Sequence, residues 1–172
     1  MDVIECIKRR SSVRSFKDAE IPEQEIEEIL ELANQAPSAG NLQSRAFIIV
    51  KAKETKRALA KAALGQHFIA EAPVVIVVCA DKRRVSPYGE RGRRLYCIQD
   101  ADASTQNILL TVTAKGLGAC WVGAFDEHAV SRVLDLPEHI YPTAIIPIGY
   151  PDEEVRHTSR MNIEDLTHYE RW

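Results

Sequence analysis

The sequence has 172 residues, enough for one domain of ordinary size, and its 45% hydrophobic and 27% charged residues are typical of a soluble globular protein. A formal net charge of −3 argues against the broadly basic surface that binds nucleic acid or an anionic membrane. The N-terminus lacks the apolar core of a signal peptide, and the longest apolar run, at 73–80, is too short to span a bilayer. We therefore expect a cytoplasmic protein with neither a nucleic-acid nor a membrane partner.

The cysteines and histidines do not form a metal-binding pattern. No two cysteines form a CxxC pair, and the histidines lack ligand-like spacing. Three of the four cysteines lie in or beside apolar stretches, which is typical of buried, reduced thiols in a cytosolic protein. We expect no metal site and four reduced thiols, namely Cys6, Cys79, Cys97 and Cys120.

Helical and strand patterns alternate along the chain. The predicted elements are helices over 2–10 and 23–34, a strand over 46–50, a helix over 54–63, a strand over 74–79, a helix over 97–115, a strand over 119–124, a helix over 127–134 and a strand over 143–150. Asp2 and Glu5 have the spacing of a capping box at the first helix. The strand over 74–79 is β-branched on both parities, which predicts burial on both faces. By itself, the alternation suggests a parallel, doubly wound sheet.

Common nucleotide-binding and catalytic motifs are absent from the sequence. The glycines at 116 and 118 would need a third glycine where the chain has Trp121, and they follow a helix instead of a strand. A Walker A motif, HExxH and GxSxG are also missing. The chain offers mainly arginines, small residues and amides, which suit a protein that holds an anionic cofactor and lets the cofactor react. We therefore expect no catalytic side chain.

A group of cationic and hydroxyl residues follows the first predicted helix. Two guanidiniums and two hydroxyls lie within five residues and can converge on a phosphate or another anion; they belong to Arg10, Ser11, Ser12 and Arg14. The same composition is common at a solvated helix end, where the helix dipole favours cations. The residues alone leave both interpretations open.

Two further segments suit a flat polar ligand. In the loop at 37–43, Asn41 and Gln43 can each donate and accept hydrogen bonds in one plane, as recognition of a ring edge requires. Downstream, Gly123 and Ala124 at a predicted strand end would let a flat ligand approach the backbone closely. An ordinary polar turn and close strand packing are the alternatives.

Together these segments resemble the nitroreductase family of FMN enzymes over nearly the whole chain. The blocks that carry the resemblance are RRSSVRSF at 9–16, APSAGNLQSRAF at 36–47, LGACWVGAF at 117–125, IPIGYPDE at 146–153 and the pair Ser159-Arg160. Their order and spacing are far more specific than any single block. The resemblance implies one domain over 1–172 with an α+β fold, in which helices flank a mixed central sheet. It also implies an intertwined homodimer, with 152–172 as a C-terminal extension packing on the partner subunit.

The resemblance further implies how an FMN would be held. The residues that it assigns to the cofactor are Arg10, Ser11, Ser12, Arg14, Ser38, Asn41, Gln43, Gly123, Ala124 and Arg160. The residues at 10–12 and Arg160 would bind the phosphate, Arg14 would face the N1/O2 edge, and Asn41 would bond the pyrimidine end. The backbone amides at 123–124 would lie near N5 and O4.

By the same resemblance, the protein is expected to pass electrons from NADH or NADPH to a small oxidised acceptor, such as a nitroaromatic or a quinone, by a ping-pong mechanism. Relatives on this scaffold also carry out flavin fragmentation, dehalogenation or enoate reduction, and a flavin-binding module without turnover is another alternative. Many relatives have a basic residue where this chain has Thr158. Neutralisation of the phosphate would therefore rest more on Arg10 and Arg160.

A second basic segment lies outside these blocks. Residues 82–94 contain six cations and one acid, Glu90, and the residues Pro87, Gly89 and Gly92 predict an irregular loop. A solvated surface is one interpretation. A lid that recruits anionic substrates, including the phosphates of a nicotinamide donor, is another, and a surface for a protein partner is a third.

Overall fold

The computed structural model describes residues 1–154 and 157–172. Its α-helices are α1 (Val3–Arg9), α2 (Glu23–Asn34), α3 (Lys53–Ala62), α4 (Phe68–Glu71), α5 (Gly89–Arg91), α6 (Cys97–Ala114) and α7 (Glu127–Val133). Its strands are β1 (Arg45–Val50), β2 (Val74–Asp81), β3 (Gly118–Ala119) and β4 (Ile140–Gly149). Three short 3₁₀ helices, at Ala39–Asn41, Ser86–Tyr88 and Ile163–Leu166, and a π-helical turn at Gly92–Tyr96 complete the described elements.

The strands form one sheet in the order β1-β2-β4-β3, and each neighbouring pair is antiparallel. The fold is α+β, so the parallel sheet suggested by the alternation of elements is wrong, and the mixed sheet is wrong for these four strands. The connection through α3 and α4 begins and ends at the same end of the sheet, since Val50 pairs with Val75, and β2 must therefore run back along β1. Parallel pairing is described at a single bridge, between Ser12 and Ala119.

The central strand β2 is buried on both faces, as its sequence predicts. Val74, Ile76 and Val78 belong to the core that includes α2 and α6, whereas Val75 and Val77 belong to the core that includes α3, α4 and α7. The sheet is thus a middle layer between two layers of helices. The candidate binding residues lie at the ends of the strands in this middle layer.

The strand predicted over 119–124 is only partly formed. β3 has two residues, and pairing with β4 resumes at one bridge to Val122. In this register Cys120 faces Pro147, which has no backbone N–H to donate. The N–H of Cys120 still donates to the carbonyl oxygen of Pro147 at 3.4 Å, so this pair keeps one of its two ladder hydrogen bonds.

The segment at 82–96 is folded, and the prediction of an irregular loop is wrong. A 3₁₀ turn is followed by α5 and the π-helical turn, which continue directly into α6. Val85 is buried, and a Cβ atom added to Gly92 would lie 2.6 Å from the carbonyl oxygen of Val85. Gly92 therefore allows two turns to pack closely. It does not mark an irregular loop.

Two apolar surfaces remain exposed in the single chain. On α1, whose N-cap Asp2 accepts from Glu5 as predicted, the exposed residues are Val3, Ile4 and Ile7. In the C-terminal extension they are Met161, Ile163, Leu166, Tyr169 and Trp172. The predicted packing of 152–172 on a partner stays a prediction, and Val155 and Arg156 within it lie outside the described residues. Within the described parts of the chain, no helix is long and apolar enough to cross a membrane.

Candidate functional site

The cationic group after α1 lines a cavity of about 250 Å³, referred to below as the anion cavity. The structure brings the C-terminal Arg160 to the same place, so both ends of the chain contribute. Its lining residues are Arg10, Ser11, Ser12, Arg14, Glu153, Glu154, His157, Thr158 and Arg160. Three guanidiniums and three hydroxyl groups can thus surround one anion, as the sequence predicts for the segment at 10–14.

The fold holds the segment at 10–14 against the edge of the sheet. Val13 is buried, and its N–H donates to the carbonyl oxygen of Ala119 at 2.9 Å. A Cβ atom on Gly118 would lie 2.8 Å from the Val13 side chain, so the glycine is needed for this approach. Because Val13 faces inward, Ser12 and Arg14 on either side of it remain exposed.

Carboxylates in the anion cavity reduce its positive charge. The Oε1 atom of Glu153 accepts from the backbone N–H groups of Arg14 at 2.5 Å and Ser15 at 3.1 Å. This oxygen of Glu153 is thus held by the backbone of the segment at 10–14. The Nη1 atom of Arg160 donates to the Oγ1 atom of Thr158 at 2.7 Å. Thr158 therefore orients Arg160, although it adds no charge of its own.

Cys120 follows Ala119, the residue that pairs with Ser12, and is 2% exposed. Burial raises the pKa of its thiol, while the charges of Arg14 and Arg10 and a hydrogen bond from Ser12 oppose that rise. The thiol therefore lies near Ser12, at the edge of the sheet that the segment at 10–14 contacts. The thiol itself is held in its neutral form, which makes it a packing group and not a nucleophile.

A second set of contacts connects Arg14 to the predicted residues at 123–124. The guanidinium of Arg14 lies over the ring of Phe68, 5.9 Å from its centroid. Two residues earlier in the chain, Gln66 donates from Nε2 to the carbonyl oxygen of Ala124 at 3.1 Å. Gly123 and Ala124 are exposed. Sequence reasoning missed Gln66 and Phe68, which no motif marks.

The loop at 37–43 has an unusual backbone that displays its amides. Gly40, Asn41 and Gln43 all have positive φ, at 55°, 57° and 50°. Within it, the Oγ atom of Ser38 accepts from the N–H of Gln43 at 3.0 Å, and Gln43 Nε2 donates to the carbonyl oxygen of Asn41 at 3.2 Å. Strained backbone of this kind is maintained by surrounding contacts and is common in ligand clamps.

Asp100 on α6 supplies the main anchor of that loop. It is 4% exposed, and its two oxygens accept from the N–H of Ala39 at 2.9 Å and from the hydroxyl of Ser44 at 2.6 Å. Arg45 is also buried and donates to Asn34 and to the carbonyl oxygen of Pro37. The helical periodicity of α6 marks Asp100 only as a polar residue, so the sequence could not reveal this contact.

The anion cavity and the loop at 37–43 lie at opposite ends of the sheet. Ser12 pairs with Ala119, which is aligned through β4 with Val74 at the start of β2. The loop leads into Arg45, which pairs with Ala80 near the end of β2. The six residue-to-residue steps from 74 to 80 correspond to about 20 Å along the strand. One subunit therefore does not bring all the predicted cofactor residues together.

Known proteins are similar to this chain in sequence and in fold. The profile of the Nitroreductase family matches residues 7–68 and 62–150. The chain is 35% identical over 176 residues to an NADH dehydrogenase/NAD(P)H nitroreductase of Methanothermobacter thermautotrophicus, covering 100% of this chain and 88% of the relative. It is 28% identical over 185 residues to an FMN reductase (NAD(P)H) of Bacillus subtilis, covering 99% and 74%. The solved structure of the NfrA1 nitroreductase from Bacillus subtilis superimposes with a TM-score of 0.91 at 25% identity, covering 99% and 74%.

Proposed function

Because the chain belongs to the nitroreductase family, we propose that it binds FMN and passes electrons from NADH or NADPH to a small oxidised acceptor, such as a nitroaromatic or a quinone. It is an oxidoreductase of the NAD(P)H nitroreductase and FMN reductase type. The observation that carries the FMN assignment is the anion cavity, which combines guanidiniums from both ends of the chain. One pocket that serves donor and acceptor in turn gives ping-pong kinetics.

The anion cavity fits a phosphate monoester. Arg10 and Arg160 supply charge, and the hydroxyls of Ser11 and Ser12 supply further donors. The segment from Arg14 through Phe68 and Gln66 to Ala124 extends from this cavity and suits the rest of a flavin. FMN, which ends in a phosphate, matches a site with a charged end and a longer, less polar extension.

The position of the loop at 37–43 supports a homodimer whose subunits share the site. Ser38, Asn41 and Gln43 lie about 20 Å along the sheet from the anion cavity of their own subunit. A second copy could present its loop at this cavity. The exposed apolar side chains of α1 and of 161–172 provide surfaces that such a copy would cover.

The chain's own residues bind and orient; the chemistry comes from the cofactor. FMN bound there would supply the hydride and electron transfer between donor and acceptor. Arg14 is exposed, is held next to Phe68 and contributes a fixed positive charge. Beside a bound flavin, this charge would favour the more negative, reduced state by preorganised electrostatics.

The test begins with the purified protein, which should be yellow and should release FMN, and not FAD, on denaturation. Arg10→Ala should weaken FMN binding by about tenfold to a hundredfold, because a charge-assisted hydrogen bond contributes about 1.5–3 kcal/mol. The matched control is Arg9→Ala, since the exposed Arg9 pairs with Glu5 on α1 and lies outside the lining of the anion cavity. A colourless protein that ignores added FMN, or equal effects of the two variants, would contradict the proposal.

A further inference from the structure

A second cavity, of about 590 Å³, is lined by three of the six cations of the segment at 82–94. It is referred to below as the basic cavity. Its lining residues are Lys82, Arg83, Ser86, Arg93, Glu138 and His139. The family resemblance assigns none of these residues a role, and the proposed binding of FMN does not use them.

The fold builds the basic cavity from two chain segments that meet at one end of the sheet. Lys82 directly follows β2 and His139 directly precedes β4, and the N–H of Lys82 donates to the carbonyl oxygen of His139 at 3.0 Å. The π-helical turn then brings Arg93 back to the same cavity. The cations therefore lie on turns and helical segments that the fold positions at this end of the sheet.

Acidic residues, including Glu138 in the lining of the cavity, balance this charge only in part. Asp81 lies 3.8 Å from Arg83 and 3.4 Å from Arg84, and Glu90 pairs with Arg93 at 3.1 Å. Arg83 is 70% exposed in its side chain, so its pair with Asp81 is weak and screened by water. The Nζ atom of Lys82 lies over the ring of Tyr141, 4.7 Å from its centroid, and Lys82 is also a lining residue of the cavity. A bound anion would relieve the repulsion among these cations.

The basic cavity is adjacent to the loop at 37–43 and remote from the anion cavity. Arg84 donates from Nη1 to the carbonyl oxygen of Gln43 at 3.2 Å, and a Cβ atom on Gly40 would lie 2.5 Å from the hydroxyl oxygen of Tyr88. The segment at 82–96 and the loop thus pack as one unit. In the proposed dimer, that unit would lie beside the flavin of the other subunit.

We propose that the basic cavity binds the phosphate groups of the dinucleotide electron donor. The inference rests on the proposed function, because the donor must reach a flavin next to the loop at 37–43. The volume of about 590 Å³ exceeds what one inorganic phosphate fills, and the spread of Lys82, Arg83 and Arg93 suits an anion with more than one phosphate charge. The phosphate of FMN has its own cavity at the other end of the sheet.

The experiment compares two triple variants of the flavin-loaded protein. Lys82→Gln, Arg83→Gln and Arg93→Gln together remove three charges from the basic cavity. Lys53→Gln, Arg57→Gln and Lys61→Gln remove three charges from exposed positions on α3, on the other face of the sheet. Calorimetric titration with adenosine 2′,5′-bisphosphate and with inorganic pyrophosphate measures binding without turnover, and steady-state assays give KM and kcat for NADPH and NADH.

We expect the basic-cavity variant to weaken adenosine 2′,5′-bisphosphate binding and to raise the donor KM, each by about tenfold, with kcat nearly unchanged, because binding common to ground and transition states is lost. The α3 variant should change both values by less than about twofold, as expected for distant screened charges. Retention of circular dichroism and of bound FMN shows that each variant is folded. Arg83→Gln alone, at the most exposed of the three positions, should produce a smaller change in the same direction.

Several results would overturn the proposal. These are no binding of either probe to the wild-type protein at millimolar concentration, equal effects of the two triple variants, or weakened pyrophosphate binding with an unchanged donor KM. The last result would show an anion site that the donor does not use. A protein that binds no flavin, yet binds adenosine 2′,5′-bisphosphate in a way that depends on these three cations, would refute the proposed function and leave the nucleotide-phosphate site standing.

Discussion

Replacement of Asp100 tests how the loop at 37–43 is held. In Asp100→Ala, the N–H of Ala39 and the fully buried hydroxyl of Ser44 both lose a carboxylate acceptor. Hydrogen bonds to charged groups contribute about 1.5–3 kcal/mol each, so the lower limit for two is about 3 kcal/mol of unfolding free energy. For a chain of this length, that corresponds to a fall in Tm of about 6–12 °C.

A graded series makes the reasoning specific. In Asp100→Asn, the amide oxygen can still accept from Ala39 and the amide nitrogen can donate to the Ser44 oxygen, so the loss should be roughly 1 kcal/mol. Asp102→Ala is the control, because burial raises the pKa of that half-buried carboxyl on the same helix and its removal should cost little. The affinity for FMN should also depend on this anchor and should increase in the order Asp100→Ala, Asp100→Asn, wild type.

The assay is urea unfolding followed by circular dichroism at one protein concentration, with and without added FMN, since ligand and subunit binding both shift apparent stability. An Asp100→Ala protein within about 0.5 kcal/mol of the wild type would refute the reasoning. An asparagine variant that is as unstable as the alanine variant would also refute it. That result would mean that the two hydrogen bonds, which asparagine can keep, do not stabilise the protein.

Two other predictions concern the proposed site. Arg14→Gln should lower the flavin midpoint potential in spectroelectrochemistry, because the reduced state loses a fixed positive charge, and an unchanged or raised potential would contradict this role. Deletion of 161–172 removes five exposed apolar side chains and should promote dissociation to monomers in sedimentation experiments, with loss of FMN; a truncated protein that stays dimeric and yellow would disprove the packing of this segment on the partner.

Local sequence patterns predicted the elements whose signal is contained within the element itself. The capping spacing of Asp2 and Glu5 begins α1, and the apolar residues on both parities of 74–79 correspond to a strand covered on both faces. The cations and hydroxyls at 10–14 line one cavity, because groups that are close in sequence stay close in the fold, and the binding of an anion there stays a prediction. These signals do not depend on how distant segments pair.

The failures involve contacts between distant segments. The ladder predicted over 119–124 is incomplete because Pro147, remote in sequence, lies opposite Cys120 and has no N–H to donate. The segment at 82–96 carries loop-forming residues, yet burial of Val85 against Gly92 folds it into turns that continue α6. Tertiary packing overrides local propensity in both cases, and no pattern within either segment contains the information needed.

The buried thiol of Cys79 should make stability fall in mildly alkaline solution. The side chain is fully buried at the centre of the sheet, and burial raises its pKa from 9.0 to about 12. Between these values the unfolded chain releases the proton and the native protein keeps it, so the native state binds more protons and loses stability as pH rises. By pH 10 this single group accounts for about 1.4 kcal/mol. Cys79→Ala lowers stability at every pH because it leaves a small cavity, but its curve between pH 8 and pH 10 should be flatter than the wild-type curve by that amount. Parallel curves from urea unfolding across this range would show that Cys79 titrates alike in both states, and that the strand is more open to water than its packing indicates.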